Sequence, residues 1–231
     1  DVDSGDTLTF SITGTDAALF TIDSNNGEVK LKVSPNFETK NSYSFNVVAT
    51  DNGAGSLTAS KTITITVVDQ NDPPAFTSGA TGTIAENAPN TTVAYDAEAA
   101  DTDAGDALSY SVSGMDASLV IIDSDDGEIR LKSSANFEVK NSYSLNVIAT
   151  DSGSTPASKT KAITINVVNQ NDSPVAVDDT GITTLNTALS NIVVLDDDSD
   201  EDGDTLSIQS ISYTGTGTVS NTSTKITYNP P

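Results

Sequence analysis

Apolar and polar residues alternate with a period of two along most of the chain. Between 141 and 150, Tyr143, Leu145, Val147 and Ala149 share one face, with Ser144, Asn146 and Thr150 on the other. Ile163, Ile165 and Val167 alternate with Thr164 and Asn166 in the same way; Leu108, Tyr110 and Val112 repeat the pattern, and Ile129 and Leu131 give a shorter version. Alternation of this kind predicts β-strands with one buried face. Clusters of Asp and Gly, such as 123–127 and 151–153, punctuate the runs as turns, and no stretch sustains a helical period. About seven short strands per hundred residues predict an all-β chain of tandem seven-stranded Greek-key sandwiches of the immunoglobulin type, in an elongated array.

The pattern also repeats on a larger scale. Residues 1–74 align with 101–174 without a gap, with about 42 identities and conservative pairs such as Ile12/Val112 and Lys30/Arg130. A period of one hundred residues is a domain-sized unit, so the repeats are separate sandwiches. The predicted domains are residues 1–72, a repeat lacking its first strands; 73–170, a complete repeat; and 171–231, a diverged partial domain. The first repeat has no counterpart of 75–100, so an open edge and an exposed row of Leu8, Phe10, Phe45 and Val47 are expected. Either chain upstream of Asp1 or strands from a neighbouring molecule would cover it.

Composition narrows the chemistry. Thirty-three acidic residues face ten basic ones, a net charge of −23, with no His and no Cys. That balance excludes nucleic acid as a partner and disfavours anionic lipid. No apolar run is long enough for a membrane span, so direct membrane insertion is not expected. Disulfides, thiolate zinc sites and histidine-based catalysis are excluded too, while hard-cation chemistry on carboxylate and carbonyl oxygen remains open.

The acidic residues gather at predicted strand ends and recur every hundred positions. The recurring pieces are Asp1/Asp3 and Asp101/Asp103, Glu38 and Glu138, Asp51 and Asp151, and 69–72 against 169–172. Glu86 stands in the sequence Ile84-Ala-Glu-Asn-Ala-Pro89. In these pieces the chain resembles the cadherin repeats. Asp69-Gln-Asn-Asp-Pro-Pro74 is similar to the family's D-x-N-D-N-x-P linker, Asp101-Thr-Asp103 to its D-x-D, and Ala149-Thr-Asp-Ser-Gly153 to its A-x-D-x-G. Asn136-Phe-Glu138 stands at the D-R-E position and Ala85-Glu-Asn87 at the P-E-N position. The resemblance covers about residues 1–174. Residues 173–179 and 200–206 are similar to bacterial Ig-like, cadherin-like domains of large surface adhesins.

The resemblance implies Ca²⁺ at the junctions between repeats. At the first junction it implies Glu38, Asp69, Asp72 and Asp103 with the main-chain oxygen of Gln70, then Asn71, Asp101, Asp103 and Asp151 with carbonyls near Pro73 and Asp106. At the second it implies Glu86, Glu138, Asn171 and Asp172 with carboxylates from the Asp196–Asp204 cluster, Asp200 and Asp202 among them. Asp1, Asp3 and Asp51 would serve a junction with a preceding repeat. Asn36 and Asn136 replace the family's Asp, which weakens the outermost site at both junctions. Asn169 replaces Asp69 and nothing answers to Asp151 beyond the second junction, so the first is expected to be the better clamp.

The function that follows is a calcium-rigidified stalk segment of a large bacterial surface adhesin, extracellular and secreted, with neighbouring repeats of the same longer chain as its partners. An adhesive module binding a polysaccharide or another copy, or a filament subunit, is the alternative. It would need exposed aromatic platforms, and only Phe76, Tyr95 and Tyr213 are placed loosely enough. An enzyme is not expected, although Asp101 and Asp103 pair as carboxylates do in glycosidases. Asp16, Asp116 and Asp123–Asp126 read as turn chemistry. Lys30, Lys32 and Lys40, with Arg130, Lys132 and Lys140, read as a solvated sheet face, and Tyr43, Tyr110 and Tyr143 as core.

Overall fold

A computed structural model describes residues 5–231, so Asp1 and Asp3 lie outside the described residues. By contacts the chain divides into two compact units. The first runs to Thr77 and adds Ala99–Ser109 and Ala149–Lys159; the second holds Ser78–Glu98, Tyr110–Ile148 and Thr160–Pro231.

In the first unit, Ser42–Asp51 is the centre of a three-stranded antiparallel sheet, flanked by Leu8–Thr13 and Thr58–Thr66. A hairpin of Phe20–Ile22 and Val29–Leu31 supplies residues that pack on the same core. That core is Phe20, Tyr43 and Phe45, with Phe20 4.5 Å from Phe45 and 5.6 Å from Tyr43, centroid to centroid. The row expected to lie exposed is therefore only partly so. Leu8 is 37% exposed, but Phe45 is 2% exposed because Phe20 closes over it. Phe10 and Val47 are half-buried, and Phe10 lies against Gly27, where an added Cβ would meet its ring at 3.3 Å.

The main sheet of the second repeat runs Ser109–Ser113, Ser142–Thr150, Ser158–Val168, Thr81–Ala85, and its last pair is parallel. Opposite stand Val120–Ile122, Glu128–Leu131 and Val93–Asp96. Period-two patterning is obeyed strand by strand. Tyr143, Leu145, Val147 and Ala149 are buried, as are Ile163, Ile165, Val167, Tyr110, Ile129 and Leu131. Among the described residues, Thr58–Thr66 has one strand neighbour where Ser158–Val168 has two. The burial follows: Val47, Ile63, Ile65 and Leu31 are half-buried where Val147, Ile163, Ile165 and Leu131 are buried.

Each repeat carries the same internal ion pair, and here the sequence expectation is corrected. Asp16 and Asp116 are buried, each accepting a backbone N–H at 2.7 Å, from Ser44 and Ser144 respectively. Lys40 reaches Asp16 at 3.2 Å and Lys140 reaches Asp116 at 3.0 Å. Each ammonium also lies over a tyrosine ring, 5.3 Å from Tyr43 and 5.2 Å from Tyr143. These two lysines are pinned between a carboxylate and a ring rather than solvated. Lys32 and Lys132 donate to the carbonyls of Ala18 and Ser118, both at 2.6 Å.

Residues 171–231 form a thin sheet ordered Leu189–Val193, Lys225–Asn229, Thr218–Asn221, with an isolated bridge between Val175 and Ser199. None of these residues is fully buried. The Tyr213 ring sits edge-on to Tyr228 at 5.9 Å.

Burial predicts an unequal cost for one substitution made at equivalent places. Ile165→Ala should destabilise the chain by about 2–5 kcal/mol. Ile65→Ala, at a half-buried position, should cost distinctly less. Denaturant unfolding of the two variants checks this.

Candidate metal centres

The linker residues Asn71 and Asp72 and the loop Asp101–Asp106 assemble the first centre, within the first unit. One oxygen each of Glu38, Asp72 and Asp103 lies within 4.8 Å of the others, and the same holds for Asp101, Asp103 and Asp106. Backbone donors fix the geometry. Asp101 accepts the Asp103 N–H at 2.9 Å, and Asp103 Oδ2 accepts the Asp72 N–H at 2.7 Å. The remaining oxygens, Asp101 Oδ2 and Asp103 Oδ1, are buried with no hydrogen-bond partner. A buried anionic oxygen without a donor is costly, so its natural complement is a cation.

Asp151 stands behind this group, 4% exposed. It accepts N–H bonds from Gly153 and Ala157, both at 3.0 Å, and from the Asn71 amide at 3.1 Å. Burial pushes its pKa up, but these donors outweigh it and hold the carboxyl below its ordinary value. Gly153 makes the approach of Asn71 feasible, because an added Cβ would sit 1.6 Å from Asn71 Oδ1. Asp106 is raised, first by burial and then by the charges of Asp151, Asp101 and Asp103. Asp69 is exposed and belongs to neither cluster. Gln70 lines a cleft with Glu38, Asp72, Asn36 and Phe37.

The second centre lies within the second unit and repeats this scheme. Asp200 accepts the Asp202 N–H at 3.1 Å, and Asp202 Oδ2 accepts the Asp172 N–H at 2.6 Å. Asn171 donates to the Asp172 carbonyl at 2.9 Å, as Asn71 does to that of Asp72 at 3.4 Å. One oxygen each of Glu86, Glu138 and Asp202 falls within 4.8 Å, and so do Glu138, Asp172 and Glu201. Glu86 is 2% exposed and accepts the N–H groups of Gln170 at 2.6 Å and Phe137 at 2.8 Å. Those bonds lower its pKa despite burial. Glu138 is raised: its own N–H lowers it, but burial and the charges of Glu86 and Asp202 prevail. Asp172 accepts the Asn87 amide on Oδ1 at 2.8 Å, and its Oδ2 is buried without a partner.

Several expected residues sit elsewhere, and others join unannounced. Asp51 accepts N–H bonds from Gly53 at 3.0 Å and Leu57 at 3.1 Å and belongs to none of the close carboxylate clusters among the described residues. Asp200 positions Asp202 and is in neither close cluster. Glu201 falls in the expected 196–204 cluster without having been singled out, and Asn87 was not expected as a partner of Asp172. Glu201 lies between the two Asp residues of the D-E-D run, and Asn87 follows Glu86 directly. Of the proposed aromatic platforms, Tyr95 is buried and its hydroxyl donates to the Gly79 carbonyl at 2.5 Å, while Phe76 is half-buried. Tyr213 is 45% exposed, with its hydroxyl donating to the Thr216 carbonyl at 2.5 Å.

Comparison with known proteins agrees with the all-β fold and the tandem repeats. Residues 1–68 and 80–168 match the Cadherin domain, and residues 171–231 match the Bacterial Ig domain. Human Protocadherin-1 is 33% identical over 179 residues, 74% of this chain and 17% of that protein. Human Protocadherin Fat 4 is 32% identical over 182 residues, 75% of this chain and 4% of that protein. The chain thus spans under a fifth of either relative. The crystal structure of mouse Cadherin-23 EC22-24 superposes with a TM-score of 0.53 at 26% identity, over 71% of this chain and 53% of that one. The Protocadherin gammaB7 EC3-6 cis-dimer structure gives 0.64 at 23% identity, over 97% and 60%, and shows the fold alone. These relatives are eukaryotic where an organism is given, and the match to a family described as bacterial is confined to residues 171–231.

The pKa directions predict a stability maximum in mildly acidic, metal-free solution. Asp106 and Glu138 are raised, so the folded chain takes up those protons first and gains stability as pH falls through their raised values. Asp116, Asp151 and Glu86 are lowered, so their contribution is lost as pH falls below the ordinary 3.8 for Asp and 4.5 for Glu. Melting temperature against pH in chelator should rise and then fall, and Asp106→Asn should flatten the rise.

Proposed function

The chain belongs to the cadherin family, and from that premise we propose that it is a calcium-stiffened segment of the extracellular stalk of a large bacterial surface adhesin. One observation carries the reading. Asp101, Asp103 and Asp172 each hold a buried carboxylate oxygen that no protein donor reaches, and each belongs to a cluster of three acidic residues. Hard oxygen donors with uncompensated negative charge fit Ca²⁺, which takes six to eight such ligands.

In this reading the domains are 1–72, 73–170 and 171–231. Glu38, Asp72, Asp101, Asp103, Asp106 and Asn71, with Asp151 behind them, would hold calcium at the first junction. Asp69 and the Gln70 carbonyl stand on the linker beside them. Glu86, Glu138, Asn171, Asp172 and Asp202 would hold it at the second, with Asp200 as positioner, and Asp1, Asp3 and Asp51 would serve a preceding junction. Bound calcium supplies the positive charge that the carboxylates lack. The chain's own part is to present those oxygens from the end of one sandwich, a linker and the start of the next. Asp103 does this most directly, because its carboxylate also receives the linker N–H of Asp72. Calcium affinity should lie in the extracellular range, roughly 10⁻⁵–10⁻³ M.

The bacterial setting rests on the Bacterial Ig domain match at 171–231. Burial of Tyr95 counts against a sugar platform, and the net charge of −23 against nucleic acid. Small-angle scattering of the full chain in millimolar calcium and in chelator tests the stalk. The profile should change on chelation, and Asp103→Ala should reproduce part of that change in calcium. Identical profiles with and without chelator would refute the proposal.

A further inference from the structure

The two centres share a backbone scheme but differ at one position, and the difference points to a ligand outside the repeat pattern. Asp101 matches Asp200 and Asp103 matches Asp202, by the same internal N–H bonds. Thr102 therefore matches Glu201. We infer that Glu201, on the Ig-like segment, ligates a divalent cation together with Glu138 and Asp172, as a ligand that has no counterpart at the first junction, where Thr102 stands in its place.

Three observations carry this. The oxygens of Glu138, Asp172 and Glu201 lie within 4.8 Å of one another. Asp172 Oδ2 is buried without a hydrogen-bond partner, whereas at the first junction the buried unpartnered oxygens belong to Asp101 and Asp103. The uncompensated charge thus sits in a different place at the two junctions. Finally, Asn36 and Asn136 occupy the same turn, accepting the N–H groups of Thr39 at 2.8 Å and Val139 at 2.7 Å. Among the described residues, Asn136 is the one of the two whose amide holds a carboxylate, donating to Glu201 Oε2 at 2.8 Å. A carboxylate in place of Asn136 would repel Glu201, so the amide and the glutamate are complementary choices. The negative charge missing at 136 is supplied from across the junction. Three carboxylates gathered without a Lys or Arg among them suit a hard dication with oxygen ligands, of which Ca²⁺ tolerates the irregular geometry best.

The inference rests on the calcium reading above, and the test separates the two. Calcium binding by the full chain is measured by calorimetry and by ion counting in native mass spectrometry, for the wild type, Glu201→Gln, Glu201→Thr and Asp101→Asn. Glu201→Gln and Glu201→Thr should each lose one ion, or weaken one class of sites about tenfold or more. Asp101→Asn should affect a different class. Because Glu201 is exposed, its variants should melt in chelator no lower than the wild type, which verifies their folding. A wild type that binds no calcium overturns the calcium reading and this inference together. A wild type that binds calcium beside Glu201 variants that titrate identically overturns this inference alone.

Discussion

Uncompensated negative charge, held close by the backbone, is the constraint on which both ends of the second repeat depend. Asp103 and Asp202 are aimed by N–H bonds to the linker residues Asp72 and Asp172, and are positioned in turn by Asp101 and Asp200. Those bonds fix one oxygen of each carboxylate and leave others facing more carboxylates. Such groups repel one another, and burial first, then that repulsion, raises Asp106 and Glu138. Lys40 and Lys140, two positions along the chain from Glu38 and Glu138, are closed onto Asp16 and Asp116 inside their own repeats. A bound dication relieves the conflict and in doing so ties together the segments that bear the carboxylates.

The sandwiches supply rigid mounts for this chemistry. Strand alternation buries Leu145, Val147, Ile163 and Ile165 on one face, so the strand ends arrive with defined directions. Gly153 then lets Asn71 approach a backbone that any side chain would block. The same hydrogen-bond scheme recurs where the second repeat meets a segment of a different domain family. The short D-x-D turn and the N-D linker are therefore enough to build the scheme, whichever sandwich follows.

Much of this was legible in the sequence because it is local. Period two placed the strands of the second repeat, and the hundred-residue repeat together with the D-x-D and N-D pieces marked the carboxylates that gather. What escaped depends on tertiary partners. No spacing signals that Lys40 finds Asp16, 24 positions back in the chain, or that Asn136 finds Glu201, 65 positions on. Alternation does not reveal that Tyr95 is buried, because its hydroxyl partner, the Gly79 carbonyl, comes from a separate strand connection. Phe45 was expected in the open because the closing Phe20 belongs to a hairpin that alternation alone does not place.

The melting temperature of the full chain in chelator, in chelator with added sodium chloride, and in calcium tests this account most directly. Salt should stabilise modestly and without saturation by screening the repulsion. Calcium should stabilise saturably and by more, about 2.7 kcal/mol for each site at a hundredfold excess over its dissociation constant, which at this length is a rise of several degrees. Equal melting temperatures in calcium and in chelator would contradict the account, because the buried carboxylate oxygens would then have no cation to complete them.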